Sequence, residues 1–113
     1  MDCIFCQIVA GKIPADIVYQ DEEVMVFPDI SPVAPTHLLI IPKKHIPSLA
    51  HLSEAESSLI GDMVNIANQL AKREGISESG YRLAISCGEQ GGQEVPHLHM
   101  HLVGGRQLAP TLG

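Results

Sequence analysis

Three histidines near the carboxyl end of the 113-residue chain, His97, His99 and His101, alternate with apolar residues. A β-strand points successive side chains to opposite faces, so this spacing predicts that the three imidazoles share one face. Imidazole holds or moves protons near neutral pH, binds metals and attacks phosphorus. The triplet therefore favours a metal cage or a nucleophile with proton-transfer neighbours. A polar face that merely happens to be rich in histidine explains it less well, because packing alone does not require the repetition.

A glycine-rich loop precedes these histidines at Gly88, Gly91 and Gly92, and Gln93 follows it. Backbone N–H groups in such a loop can converge on an anion, which suits phosphate, and the glutamine amide adds a neutral donor. A tight turn between two strands also requires glycine, so both uses of the loop stay open at this point.

Cys3 and Cys6 form a Cys-x-x-Cys pair near the amino end. Such a pair is half of a tetrahedral zinc site or a redox motif, and the redox interpretation lacks the thioredoxin-like context that it requires. Two ordinary cysteines near a terminus are the remaining possibility. A zinc site needs two further ligands, for which histidines are available.

Short strands and one long helix must position these residues. Five segments bounded by turn residues predict β-strands: 17–19, 24–27, 37–41, 81–86 and 95–103. Residues 4–10 predict one or two helical turns. Residues 29–36, which contain two prolines, predict an irregular connection.

Three sequence features predict one long helix: an amino-terminal capping motif, a helical spacing of apolar residues and a glycine at the end. Ser53 and Glu56 have the spacing of a capping box, apolar residues recur every three or four positions from Leu59 to Ala71, and Gly75 ends the pattern. One long helix beside sequential strands predicts an α+β fold on an antiparallel sheet. The absence of a strand–glycine-loop–helix unit excludes a Rossmann or P-loop protein.

Length and composition predict one domain, residues 1–113, with its own core. The 7 Lys+Arg against 13 Asp+Glu give a formal charge of −6, which disfavours nucleic acid and anionic membranes as partners. No apolar run approaches the roughly 18 residues of a membrane helix, and no signal-peptide pattern is visible. Three cysteines, an odd number, argue against a disulfide framework. We therefore expect a soluble cytoplasmic protein.

Several separate segments resemble the histidine triad (HIT) family, and within it the nucleotide-binding branch. Residues 93–103 are similar to its signature, His-x-His-x-His followed by apolar residues, and residues 104–106 to its continuation. Residues 29–32, 34–37 and 41–45 also resemble that branch, and the resemblance covers nearly the whole chain. It implies a HIT-like α+β fold, with an antiparallel sheet of about five strands, one long helix and a short amino-terminal helix. It also implies a homodimer whose two sheets join into one.

The same resemblance implies an enzyme that binds purine nucleotides and hydrolyses nucleoside monophosphate phosphoramidates. His99 would attack the α-phosphorus, forming a transient nucleotidyl-histidine that water resolves. His101 would stabilise the phosphate, and His37 would complete the proton-transfer network. The nucleotide-binding residues that it implies are Phe5 and Ile30 for the base, Asp29 for the ribose hydroxyls, and Ser86, Gly92, Gln93, Glu94, His99 and His101 around the phosphate.

Some histidine triad relatives hold a structural zinc with a Cys-x-x-Cys pair and two histidines. By that resemblance, the ligands of one zinc per chain would be Cys3, Cys6, His45 and His97. A Cys2His2 set is a closed structural site that leaves no open position for catalysis.

Two departures from the branch concern the phosphate and the leaving group. Ser86 stands where much-studied members have Asn, with a shorter reach. Glu94 stands where they have Ser, a candidate proton donor, and a carboxyl can serve as that acid only when it is protonated. Two alternatives stay open: a metallohydrolase with a catalytic zinc on the three alternating histidines, and a purine-nucleotide-binding module without catalysis.

Overall fold

The computed structural model describes residues 3–113, in which five strands form one antiparallel sheet in the order β1-β2-β3-β5-β4. The strands are β1 (Tyr19–Gln20), β2 (Val24–Pro28), β3 (Thr36–Pro42), β4 (Tyr81–Ala84) and β5 (Met100–Gly104). The two helices are α1 (Ile4–Val9) and α2 (Ser57–Arg73). The predicted α+β fold is confirmed. The predicted domain also counts Met1 and Asp2, which lie outside the described residues.

The central strands are buried on both faces of the sheet. In β2 and β3 alternate residues pack on opposite sides, as the two-residue period of a strand requires. One set joins the core under α2: Val24, Val26, Leu38 and Ile40. The other set packs with Phe5 of α1: Met25, Phe27, Leu39 and Ile41. The sheet therefore has a closed face under α2 and a second face on which α1 leaves room for a site.

The long helix α2 follows its predicted pattern, with its first turn tightened into a 3-10 turn at Glu54–Glu56. The Glu56 carboxylate accepts hydrogen bonds from the Lys44 ammonium (2.6 Å) and the Ser53 N–H (3.1 Å). These contacts, Lys44 first, lower the pKa of Glu56 to about 2. Gly75, at φ 76°, follows the helix end. None of the helices within residues 3–113 is long and apolar enough to cross a membrane.

The predicted strand over 95–103 is wrong at its amino end, because β5 begins only at Met100. The chain turns at residues 95–98: the His97 N–H donates to the Val95 carbonyl (2.8 Å), and the Leu98 N–H donates to Ile46 (2.7 Å). The alternation of sides survives this turn, since the apolar residues between the histidines all lie in the core under α2. The other strands differ less: β4 stops at residue 84, β1 spans 19–20 rather than 17–19, and the ends of β2 and β3 differ by one residue.

Candidate functional site

A cavity of about 830 Å³ opens on the sheet face that carries α1. This volume lies within the range of roughly 300–1,000 Å³ typical of small-molecule sites. Eight of the predicted site residues line it together: Phe5, Asp29, Ile30, His37, Gly92, Glu94, His99 and His101. Ser86 and Gln93 do not line this cavity, and His97 lies behind it with no exposed surface.

His99 is buried at the inner wall of the cavity, and one hydrogen bond determines the tautomer of its neutral ring. Its Nδ1 lies 2.7 Å from the carbonyl oxygen of His97. A carbonyl only accepts, so Nδ1 carries the proton and the lone pair resides on Nε2. The Phe5 ring packs edge-on against His99, with ring centroids 5.3 Å apart, and limits its rotation. The arrangement leaves Nε2 of His99 available as a nucleophile.

Hydrogen bonds in series also determine which ring nitrogen of His37 and of His101 carries the proton. The backbone N–H of Val33 donates to Nδ1 of His37 (3.2 Å), so the His37 proton is on Nε2. That Nε2–H lies 2.9 Å from Nδ1 of His101 and donates to it. His101 must then carry its own proton on Nε2, where it can donate to a bound anion. Its ring lies 5.0 Å from that of His99, centroid to centroid.

Asp29 follows β2 directly and is held at the cavity edge by two contacts. Its Oδ1 accepts the Ser31 N–H (2.8 Å), and its Oδ2 lies 3.5 Å from Nε2 of His37. The carboxylate keeps further acceptor capacity, because an ionised carboxylate offers about four lone-pair directions. Ile30, beside it, leaves 97% of its surface exposed at the mouth of the cavity.

The glycine-rich loop before the histidines is closed by its own hydrogen bonds. The N–H groups of Gly92 and Gln93 donate to Glu89 and Gly88, and the Gly88 N–H donates to Oε1 of Gln93. The Gln93 Nε2 donates to the Pro47 and Val95 carbonyls (2.8 and 3.0 Å). These donors are engaged inside the protein, so the loop acts as the tight turn that glycine also permits. The Gln93 side chain ties this turn to residue 47.

A second group of ligand atoms lies beside the cavity, where Cys3, Cys6, His45 and His97 come within 4.8 Å of one another. Sγ of Cys3 is 3.3 Å from Nδ1 of His97, and Sγ of Cys6 is 3.2 Å from Nδ1 of His45. A tetrahedral zinc with its usual bond lengths separates sulfur and nitrogen ligands by about 3.6 Å. The opposite His97 nitrogen, Nε2, donates to the Pro42 carbonyl (2.8 Å), the bond that a metal-binding histidine commonly makes. These residues fit a structural metal centre.

Without a metal, the Cys6 thiol and the His97 ring both favour their uncharged forms. Desolvation, followed by the neighbouring Cys3 side chain, raises the pKa of the Cys6 thiol to about 11. A coordinating metal reverses that preference, because a metal-bound thiol is deprotonated outright. Burial lowers the pKa of His97, which keeps its ring neutral as coordination requires.

The three alternating histidines do not converge on one point. His97 faces the cysteines, whereas His101 lies with Asp29 and His37 in a separate cluster of possible ligands. Among the clusters formed by residues 3–113, none brings the three together. The donor arrangement therefore gives no support to a catalytic zinc held by His97, His99 and His101.

Sequence reasoning missed the backbone groups that orient the imidazoles and part of the apolar wall. The orienting groups are the Val33 N–H and the carbonyls of Pro42 and His97. Phe27 and Leu39 line the cavity, and the alternation in β2 and β3 is the signal that could have found them. The backbone groups leave no such signal, because almost every residue type supplies them.

A family model, curated relatives and solved structures all match nearly the whole of this chain. A family model described as scavenger mRNA decapping enzyme C-term binding matches residues 2–112. Purine nucleoside phosphoramidase of Escherichia coli (strain K12) is 50% identical over 111 residues, which are 98% of this chain and 93% of that protein. HitA of Neisseria gonorrhoeae is 48% identical over 103 residues, 91% of this chain and 95% of that protein. A HIT family hydrolase from Legionella pneumophila Philadelphia 1 superposes with a TM-score of 0.96 at 48% identity, over 99% of this chain and all of that one.

We expect the His101 ring to titrate below its ordinary value of 6.5, because burial first, and then the His99 and His37 rings, lower its pKa. The unfolded chain therefore binds this proton at a higher pH than the folded chain. The contribution to stability is full above the unfolded-state pKa and is lost as the pH falls from there through the folded-state pKa. NMR of the ring resonances against pH, assigned with His101→Asn, gives the midpoint. A midpoint above 6.5 would contradict this expectation.

Proposed function

Because this chain belongs to the histidine triad (HIT) family of nucleotide-binding hydrolases, we propose that it cleaves the P–N bond of purine nucleoside 5′-phosphoramidates through a covalent nucleotidyl-histidine on His99. The observation that carries the proposal is the hydrogen bond from Nδ1 of His99 to the His97 carbonyl. It leaves the nucleophilic lone pair on Nε2 of a ring that lines the cavity. Purine as the base is supported by the relative from Escherichia coli, which is named a purine nucleoside phosphoramidase.

The reaction takes two displacements at phosphorus. In the first, Nε2 of His99 bonds to phosphorus while the P–N bond breaks, and the departing nitrogen takes one proton from solvent. In the second, water attacks phosphorus, the bond to Nε2 breaks, and one proton returns to solvent. The sum consumes one water and releases a nucleoside monophosphate and an amine. A covalent intermediate divides one difficult step into two easier ones.

The charge on the phosphoryl oxygens is stabilised by donors that are already in position. His101 supplies its Nε2–H, because the Val33–His37–His101 chain keeps the proton on that nitrogen. A preorganised donor costs no reorganisation when the charge develops, which makes it effective in a site that excludes water. His37 acts through His101, as a positioning residue.

The rest of the nucleotide fits the remaining lining. We assign the ribose hydroxyls to Asp29, whose carboxylate retains acceptor capacity at the cavity edge. The base packs between Phe5 and Ile30, the apolar residues at the wall and the mouth. In the free protein Ile30 is almost fully exposed, so its side chain gains burial only when a ligand is present.

We also propose that the cluster of Cys3, Cys6, His45 and His97 holds one structural zinc. Support comes from the ligand separations and from the hydrogen bond of His97 to the Pro42 carbonyl. The four ligands would join α1 to the segments before α2 and β5, and the closed set would supply no catalytic position. None of the three cysteines is in a disulfide, as is usual in a reducing compartment, and we place the protein in the cytoplasm.

A homodimer formed through β4 is the third part of the proposal. The sheet has two edge strands, and β1 has only two residues whereas β4 has four. An edge strand presents unpaired backbone groups that a second copy can pair with. The pairing of two β4 strands would join two five-stranded sheets into one.

Replacing His99 by Asn should reduce kcat for adenosine 5′-phosphoramidate by about 1,000-fold or more, because the variant lacks the nucleophile. His51→Asn is the matched control: this ring is exposed, bonds to Ser48 and lies outside the cavity, so it should keep wild-type turnover. Release of AMP measured by chromatography gives both rates. If the wild type binds AMP but turns over no phosphoramidate, the chain is a nucleotide-binding module instead.

Protein purified without added metal should contain about one zinc per chain. Cys6→Ser should lose the metal and lower Tm by several degrees, because the metal contributes to folding free energy. Cys87→Ser should keep the metal, since Cys87 is not part of the cluster. Elemental analysis with thermal unfolding measures both. Far less than one equivalent of zinc would overturn the structural site, and a chelator that stops turnover without unfolding the protein would indicate a metallohydrolase.

Light scattering after gel filtration at micromolar concentration should give twice the 12.2 kDa mass of the chain. Monomer alone under these conditions would overturn the dimer.

A further inference from the structure

A second cavity, of about 500 Å³, adjoins the one that contains His99. The two cavities share three lining residues, Ile4, Glu94 and Val95. The second is otherwise bounded by Pro47 and Pro96, and by Cys3 and His45 of the metal-ligand cluster. Nothing in the proposed binding of the base, ribose or phosphate uses this space.

Besides the two metal-ligand residues, the lining of the second cavity is apolar except at Glu94. Ile4, Val95 and the two prolines form its walls, and Glu94 lines both cavities and so lies where they meet. Glu94 is exposed and forms no ion pair with the residues described by the structure. A zinc with two thiolates and two neutral imidazoles carries no net charge, so the metal centre would not offset the carboxylate.

Apart from the histidines, the ionisable side chains that line the two cavities are carboxylates and the Cys3 thiol. Asp16, Asp29 and Glu94 line the first cavity, and no lysine or arginine lines either one. The histidines supply hydrogen-bond donors to a single phosphate, but a further anionic group would meet carboxylates and no cation. A cationic group would be attracted at the point where the cavities meet.

We propose that the second cavity receives the leaving group, and that Glu94 selects amines whose alkyl chain ends in a cation. This inference rests on the proposed function. The attacking and departing atoms lie roughly in line across phosphorus, so a group leaving opposite His99 needs open space beyond the nucleotide. The adjoining cavity offers that space, with apolar walls for the methylene chain and a carboxylate for the ammonium. Phosphate or pyrophosphate leaving groups are disfavoured by the same carboxylates.

Three substrates of equal length test the selection. They are the adenosine 5′-phosphoramidates of 1,5-diaminopentane, n-hexylamine and 6-aminohexanoate, whose chains end in an ammonium, a methyl and a carboxylate. For the zinc-loaded wild type we expect kcat/KM to be about threefold higher with the ammonium than with the methyl end, as suits an exposed charge pair. The carboxylate end should give the lowest value. High salt should compress these differences, because it screens exposed charges.

Glu94→Gln keeps the size of the side chain and removes its charge, and it should bring the ammonium-to-methyl ratio close to one. Glu78→Gln is the matched control, since this exposed carboxylate lines neither cavity and the loss of its charge should leave the ratio unchanged. A ratio cancels any effect of a variant on the phosphoryl transfer that the two substrates share. Pro47→Phe, which fills the second cavity, should lower kcat/KM for all three chains relative to the unsubstituted phosphoramidate.

The outcomes separate the two proposals. Turnover of all three substrates with equal efficiency, or a ratio that Glu94→Gln leaves intact, would overturn the leaving-group site and keep the hydrolase. No turnover of any phosphoramidate by the zinc-loaded protein would overturn the proposed function, and this inference with it.

Discussion

The hydrogen bond between Nδ1 of His99 and the His97 carbonyl decides which nitrogen of His99 is free to attack. The same residue, His97, directs its ring the other way, with Nε2 on the Pro42 carbonyl and Nδ1 toward the two cysteines. One buried residue therefore takes part both in the proposed metal centre and in the candidate site. Any movement of the His97 backbone would change the orientation of His99. The contacts that position the His97 ring therefore also help to position His99.

Because the two faces of the sheet have different roles, a short chain can hold both an apolar core and a ligand cavity. α2 closes one face with a continuous apolar core, and the opposite face packs with Phe5 of α1 and leaves the cavity beside it. His37 and His101 project from adjacent strands, where β3 pairs with β5 so that Leu39 is opposite His101. Strand pairing fixes the spacing between these imidazoles more firmly than a loop would. The register of these two antiparallel strands therefore determines how His37 and His101 lie relative to each other.

Sequence patterns correctly predicted the parts of the fold that depend on interactions between residues close in sequence. α2 was predictable because its cap, its apolar period and its glycine stop all lie within about 20 residues of sequence. The start of β5 was not predictable, because the turn before it depends on the Leu98 N–H meeting Ile46, far away in sequence. Gln93 illustrates the same limit: its amide has the chemistry of a phosphate donor, yet it is bonded to Pro47. Residue types indicated which histidines could do chemistry, whereas their tautomers depend on backbone carbonyls and N–H groups that no motif reveals.

Trapping the covalent intermediate tests the role of His99 most directly. The zinc-loaded enzyme is mixed with adenosine 5′-phosphoramidate and quenched within milliseconds under denaturing but non-acidic conditions, because the bond between phosphorus and a histidine nitrogen is labile in acid. Intact mass and peptide mapping should find one adenylyl group on His99, absent from His99→Asn. Turnover with no adduct at the earliest times, or an adduct on His101, would contradict the account.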